Sequence, residues 1–179
     1  LMVGTSDTTF GPYQTLSRAM VAAMLHRLAG TPAAKTATGF SDVAADGWYG
    51  AAVAWAAETA VVSGLGDNRF APLQDVTREQ LAVMLFRYAR AMGYDVSKTA
   101  ELSAFADAGE VSGWAKEAMQ WAVANGLLAG ADGKLMPQGN ATRAEAAAVM
   151  QRFCQSFADV KTEVNAETTE TTGTTGAAQ

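Results

Sequence analysis

The sequence predicts an all-α protein built from tandem helix-loop-helix units. Three observations predict it. The first is an ordered motif that recurs. Phe70-Ala-Pro-Leu-Gln-Asp-Val-Thr-Arg-Glu-Gln, residues 70–80, returns as Leu135-Met-Pro-Gln-Gly-Asn-Ala-Thr-Arg-Ala-Glu, residues 135–145, and in worn form as Phe10-Gly-Pro-Tyr-Gln-Thr-Leu-Ser-Arg-Ala-Met, residues 10–20. In each copy a hydroxyl-bearing residue and an arginine follow the proline by five and six positions, and Arg27, Arg87 or Arg152 comes nine later. The second is that long stretches rich in Ala, Val, Leu and Met carry no Gly or Pro, which favours helix. The third is that each stretch ends in a glycine-bearing turn, so the chain reads as repeated modules.

In chain order, Ser17 to Ala29 is the first expected helix. Leu1-Met-Val-Gly4 aligns with Val61-Val-Ser-Gly64, so the chain is expected to open inside a module whose first helix lies upstream. Phe40-Ser-Asp-Val opens the second unit, and Trp48 to about Val61 is its first helix, with Trp48 and Trp55, seven apart, expected on one face. Ser63-Gly-Leu-Gly-Asp-Asn stops that helix, and the proline keeps Phe70-Ala-Pro extended. Thr77 to Met92 is the second helix, with Leu81, Met84, Leu85 and Tyr88 as its apolar stripe and Gly93 at its C-cap. The third unit repeats the plan with Phe105-Ala-Asp, Trp114, Trp121, Gly130-Ala-Asp-Gly, Leu135, Pro137 and a helix from Thr142 to about Phe157. After Val160 the Thr, Glu, Gly and Ala content predicts a disordered linker or tail. The expected divisions are 1–32, 38–97, 103–158 and 159–179.

Composition narrows the function. Of 179 residues 49% are hydrophobic and 17% charged, ample for a core, and the net charge of −5 argues against nucleic acid. No apolar run reaches the roughly 18 residues of a membrane span. His26 has no metal or nucleophile partner pattern, and Cys154, the one cysteine, reads as a packing residue. Asp67-Asn68 and Asp132-Gly133 lack the alternating acidic ligands of a calcium loop. The chain is therefore expected to hold no metal and no cofactor, and to have no catalytic residues.

The helix starts carry the chemistry. Thr142 with Glu145, and Thr77 with Gln80, form capping boxes, while Ser17 keeps the cap and has Met20 in place of the reciprocal arm. Capping does not need Arg18, Arg78 or Arg143, which stand at the first helical position where a cation opposes the macrodipole by ~0.3–1 kcal/mol. A guanidinium beside free helix N–H groups is a receptor for a carboxylate or phosphate. The alternative is an internal salt bridge to Asp42, Asp67, Asp107 or a neighbouring unit. Arg27, Arg87 and Arg152, late in their helices, read as structural.

With these residues in place, residues 1 to about 157 resemble the S-layer homology family of bacterial cell-wall anchoring modules. The resemblance rests on Phe40-Ser-Asp-Val43, Trp48, Gly64-Leu-Gly-Asp-Asn-Arg-Phe70-Ala-Pro72 and Val76-Thr-Arg-Glu79, and on Phe105-Ala-Asp107, Trp114, Gly130-Ala-Asp-Gly133, Leu135, Pro137 and Thr142-Arg-Ala-Glu145. It implies three S-layer homology repeats, the first truncated, in a pseudo-threefold arrangement with grooves between neighbours. It further implies an extracellular module at the bacterial cell wall that binds a pyruvylated secondary cell-wall polymer or another peptidoglycan-linked glycan. By motif, Arg18, Arg78 and Arg143 would meet the acidic group. Gly4, Gly64, Gly66, Asp67, Gly130, Asp132, Trp48 and Trp114 would complete the grooves. Glu79-Gln80 departs from the family's Ala-Glu, and the incomplete first unit places Arg78 ahead of the other two arginines. The competing expectations are a helical-repeat protein-interaction module and a surface-layer self-assembly module; the oligomeric state is left open.

Overall fold

The computed structural model describes Met2, Gly4 and residues 8–170, with side chains through Phe157. The fold is all-α: α1 (Arg18–Leu28), α2 (Gly50–Glu58), α3 (Arg78–Ala91), α4 (Lys116–Ala124) and α5 (Arg143–Glu170), with 3₁₀ turns at Ala108–Glu110 and Gly113–Ala115 before α4. Among the described residues β pairing is limited to isolated bridges, and three of these join the starts of α1, α3 and α5.

Those helix starts close a ring. The Leu16 N–H donates to the Ala141 carbonyl at 3.0 Å, Ala141 N–H to Val76 at 2.8 Å, and Val76 N–H back to Leu16 at 2.8 Å. All three side chains are buried. The first helical N–H groups are then spent on the next turn in the ring. Arg18 and Ala19 donate to Gln74 and Pro72, Arg78 and Glu79 to Gly139 and Pro137, and Arg143 and Ala144 to Gln14 and Pro12. The third N–H of each helix goes to the cap hydroxyl of Ser17, Thr77 or Thr142. Orphan N–H groups that a lone helix must leave to water or a ligand thus hold the units together.

Local expectations hold where the cause is local. Both capping boxes form: Gln80 Oε1 accepts from the Thr77 N–H, and Glu145 Oε2 from the Thr142 N–H. Leu81, Met84, Leu85 and Tyr88 are buried. Gly93, at φ +76°, lets its own N–H and that of Tyr94 return to Arg90 and Ala89. Helix α1 packs on α2 and α3 on α4, so the first two motif helices each lie against the alanine-rich helix that follows. Trp121 stacks on Phe157 with ring centroids 5.9 Å apart, while Phe153 meets Tyr88 at 5.7 Å, joining α3, α4 and α5 in one aromatic core.

Two expectations are corrected. Trp48 and Trp55 do not share a helix face, because α2 begins only at Gly50. Successive turns donate Gly47 N–H to Ala44 and Gly50 N–H to Gly47, and a Cβ at Gly50 would run into the Ala44 and Ala45 carbonyls. Trp48 therefore sits on a turn, 61% exposed, while Trp55 is buried. Residues 159–170, expected to be disordered, continue helix α5. Once a helix is nucleated each added residue needs only propagation, and Gly and Pro are absent until Gly173. Residues 171–179 lie outside the described residues.

Candidate functional site

The site is assembled from the turn that precedes each motif helix. Asp67 and Asn68 have φ of +49° and +56°, and Asp132 and Gly133 have +50° and +71°, giving two-residue turns of the primed type that reverse the chain tightly. Next, Ala71 and Met136 stand at φ +56° and +51°, which costs a side-chain-bearing residue roughly 1–2 kcal/mol. Asp42 pays for the first by accepting from the Phe70 and Ala71 N–H groups, both at 2.8 Å, and Asp107 does the same for Leu135 and Met136 at 2.8 and 2.7 Å. Burial alone would raise both carboxyls, but the backbone donors outweigh it and hold them below the usual carboxylate value. At the same place in the worn copy stands Gly11, at φ +62°.

These turns present carbonyls to an arginine from another unit. Arg18 Nε donates to the Phe70 carbonyl and Nη2 to the Ser63 carbonyl, both at 2.7 Å, and its guanidinium lies 4.5 Å from the Phe70 ring centre. Arg78 Nε donates to Leu135 at 2.8 Å, and Arg143 Nε to Phe10 at 2.8 Å, with the Phe10 ring 4.8 Å away. All three arginines are buried. Their Nε groups serve as inter-unit clamps, and the remaining donors border a groove.

Three grooves share this plan. Along α3, a cavity of about 260 Å³ is bordered by Arg18, Ser63, Leu65, Gln80, Arg87 and Trp114, over Val83 and Met84. The α1 groove, about 340 Å³, brings Arg143 and Arg27 together with Gly4, Met20 and Trp48. The smallest, about 190 Å³ along α5, holds Arg78 and Arg152 with Gly130 and Glu145. Each combines an arginine from one unit with the turn and helix of another, and the first two add a tryptophan from a third.

The expected residues sort accordingly. Arg18, Arg78, Arg143, Gly4, Gly130, Trp48 and Trp114 border grooves, and Trp48 and Trp114 are 61% and 60% exposed. Gly64 is instead a packing position, where a Cβ would come 2.8 Å from both Arg69 O and the Phe40 ring. Gly66, Asp67 and Asp132 stand at or beside turn tips, outside the groove linings. The free helix N–H groups expected beside the arginines are absent from these helix starts, because ring closure uses them. Arg27, Arg87 and Arg152, expected to be structural, border the grooves as second cations. Arg87 Nη1 donates to Ser63 Oγ at 3.1 Å and Arg152 Nη1 to the Leu127 carbonyl at 3.1 Å. Their nine-residue spacing carried the signal: about two and a half helical turns puts them opposite the motif arginine, facing another groove.

Electrostatics differ between grooves. Burial lowers the Arg18 pKa, Asp42 pulls it back up and the facing Arg87 lowers it again, so two cations share one cleft. Arg78 instead makes an ion pair with Glu145, Nη1 to Oε1 at 2.5 Å. Among the described residues no cluster of three His, Cys, Asp or Glu could hold a metal, and no helix is long and apolar enough to cross a membrane.

Such a fold defines a helical-repeat protein with arginine-bearing clefts between units. Residues 39–82 and 104–147 each match the S-layer homology domain. The chain thus carries two segments of S-layer homology. It is 35% identical over 157 residues to a surface-layer 125 kDa protein of Lysinibacillus sphaericus, covering 86% of this chain and 13% of that protein. An endoglucanase of Bacillus sp. (strain KSM-635) is 32% identical over 84% of the chain and 16% of its own length, and an amylopullulanase of Thermoanaerobacterium thermosulfurigenes is 30% identical over 89% and 9%. The chain spans less than a fifth of each of these relatives.

Proposed function

We propose that the chain is a non-enzymatic cell-wall anchoring module, acting outside a bacterial cell, that binds an acidic sugar of a secondary cell-wall polymer in its inter-unit grooves. Residues 1–32 serve as the latter part of a first repeat, supplying one arm of the ring. The observation that carries the reading is the α3 groove. Arg18 and Arg87 face one cleft with no carboxylate in its lining, above an apolar floor of Val83 and Met84 and beside the exposed ring of Trp114. A pyruvate ketal matches these three features: a carboxylate for the guanidiniums, a methyl group for the floor and a sugar ring for the indole. The overall charge of −5 does not oppose this, because salt screens it beyond roughly 8 Å at physiological strength while contact with a desolvated arginine is local. Several weak grooves on one chain bind a repeating polymer firmly through multivalency.

The test is co-sedimentation with purified wall polysaccharide before and after acid removal of ketal-linked pyruvate. Binding is expected to fall with depyruvylation and with Arg18→Ala. Binding indifferent to both sinks the proposal. Self-association without glycan, followed by sedimentation velocity, supports lattice assembly instead.

A further inference from the structure

The α3 groove does not end at Arg87. Val62, Ser63 and Arg87 line it and also line a second cleft of about 540 Å³, which runs on between the end of α2 and the last turn of α3. The next basic residue along this second cleft is Arg90. Three apart on a helix, Arg87 and Arg90 share a face, with Cβ atoms roughly 5–6 Å from each other. With Arg18 they make a series of three arginines, and no Asp or Glu lines either cleft. In a chain of net charge −5 that segregation is local and one-sided.

The repeat does not account for it. A cation in the last turn suits the helix dipole, yet Gly30 and Gln155 hold the place of Arg90 in the other two copies, so the fold does not require one. Like charges three apart oppose each other, and among the described residues neither Arg87 nor Arg90 has an ion-pair partner. Ser63 is also particular to this groove, since Ala129 stands in its place along α5. Its Oγ accepts from Arg87 Nη1 at 3.1 Å, which leaves its own hydrogen to donate.

We propose that this second cleft is an anion subsite for the sugar next to the one held at Arg18, so that the α3 groove reads two successive negative charges of the polymer. The proposal rests on the reading of the groove as a carboxylate site. The step from Arg87 to Arg90 is comparable with one sugar ring. A charge one sugar further along the polymer therefore falls at Arg90 while the ketal carboxylate stays by Arg18 and Arg87. That charge is carried on the ring, as a uronate, or between rings, as a phosphodiester. Either oxyanion suits a guanidinium with a hydroxyl donor beside it. The uncharged Gly30 and Gln155 give the α1 and α5 grooves no such extension, so selectivity for a doubly acidic segment belongs to α3.

The experiment uses the whole chain labelled with ¹⁵N-arginine, with the Arg18 and Arg90 Nε–H signals followed in separate titrations. The probes are a methyl hexoside bearing a pyruvate ketal, and the same hexose joined to glucose, to glucuronic acid, or through a phosphodiester to glucose. The ketal monosaccharide should shift Arg18 and leave Arg90 still. One or both of the doubly charged probes should shift both signals with one midpoint. Such a probe should bind roughly two- to fivefold more tightly than the neutral disaccharide, the size of an exposed charge pair. Which probe does so identifies the carrier of the charge. The preference should shrink as salt rises and vanish in Arg90→Gln, where the new side chain is the one α5 already carries at Gln155. Equal affinity for charged and neutral disaccharides, or a preference that survives Arg90→Gln, overturns the subsite. If no probe moves Arg18, the carboxylate-site reading falls first and the subsite with it.

Discussion

Glu79 offers a sharp test of how the units are joined. Its side chain is 2% exposed, and its carboxylate accepts from the Ser112 N–H at 3.0 Å, Ser112 Oγ at 2.8 Å and Gln138 Nε2 at 2.9 Å. Ser112 precedes the 3₁₀ turn that leads into α4, and Gln138 follows the proline of the last motif, so one carboxylate ties α3 to two elements of the next unit. The corresponding residues of α1 and α5 are Ala19 and Ala144, which make no such tie. Hydrogen bonds to a charged group contribute about 1.5–3 kcal/mol each. Ser112 is half-buried and Gln138 exposed, so both regain water when the carboxylate is removed. Glu79→Ala should therefore cost about 2–4 kcal/mol in total. For a domain of this size that lowers the melting temperature by roughly 5–15 °C. Differential scanning calorimetry of Glu79→Ala, Gln138→Ala and the double variant measures both the loss and the coupling. An unchanged melting temperature, or strictly additive effects of the two substitutions, refutes the assignment of Glu79 as an inter-unit clamp.

Other outcomes follow from the turns and the groove. Because Asp42 and Asp107 are held below the usual carboxylate value, their contribution is complete above roughly pH 4 and is lost as pH falls through the lower folded value. Urea unfolding between pH 7 and pH 2.5 should show this acid loss, and Asp107→Asn should reduce both the stability at neutral pH and its fall in acid. Gly130→Ala places a Cβ against the Lys134 carbonyl at φ +70° and should cost about 1–2 kcal/mol or more, whereas Gly109→Ala, with nothing within 4 Å of the added carbon, should be nearly neutral in the same thermal melts. Trp114→Ala should leave the melting temperature unchanged, since the ring is 60% exposed, yet weaken polysaccharide binding roughly two- to twelvefold, the equivalent of about 0.5–1.5 kcal/mol of stacking.

What could be read from the sequence follows the distance over which its cause acts. The caps of Ser17, Thr77 and Thr142, the stripe from Leu81 to Tyr88 and the stop at Gly93 all arise within one or two helical turns, and the structure reproduces them. The paired tryptophans failed for a local reason that lay outside their own spacing. Gly50 is pressed against the Ala44 and Ala45 carbonyls, which delays the start of α2 and leaves Trp48 on a turn. Arg87 makes a structural bond, Nη1 to Ser63 Oγ, and in addition borders the α3 groove, which the helix dipole alone does not foretell. Its nine-residue offset from Arg78 pointed into another groove, but only a known partner across that groove gives the offset meaning.

By itself, the order of residues determined the helices, their caps, the repeated unit and the presence of an arginine that no cap requires. Tertiary structure alone decided what that arginine meets. The ring of Leu16, Val76 and Ala141 brings together segments 60 and 65 residues apart in sequence. Its closure spends the helix N–H groups that the isolated sequence leaves free, and it sets Arg18 opposite Gln80 but Arg78 opposite Glu145. A side chain's local preferences act over a few bonds. The charge it faces depends on where the chain returns, and that return is set by the packing of the whole ring.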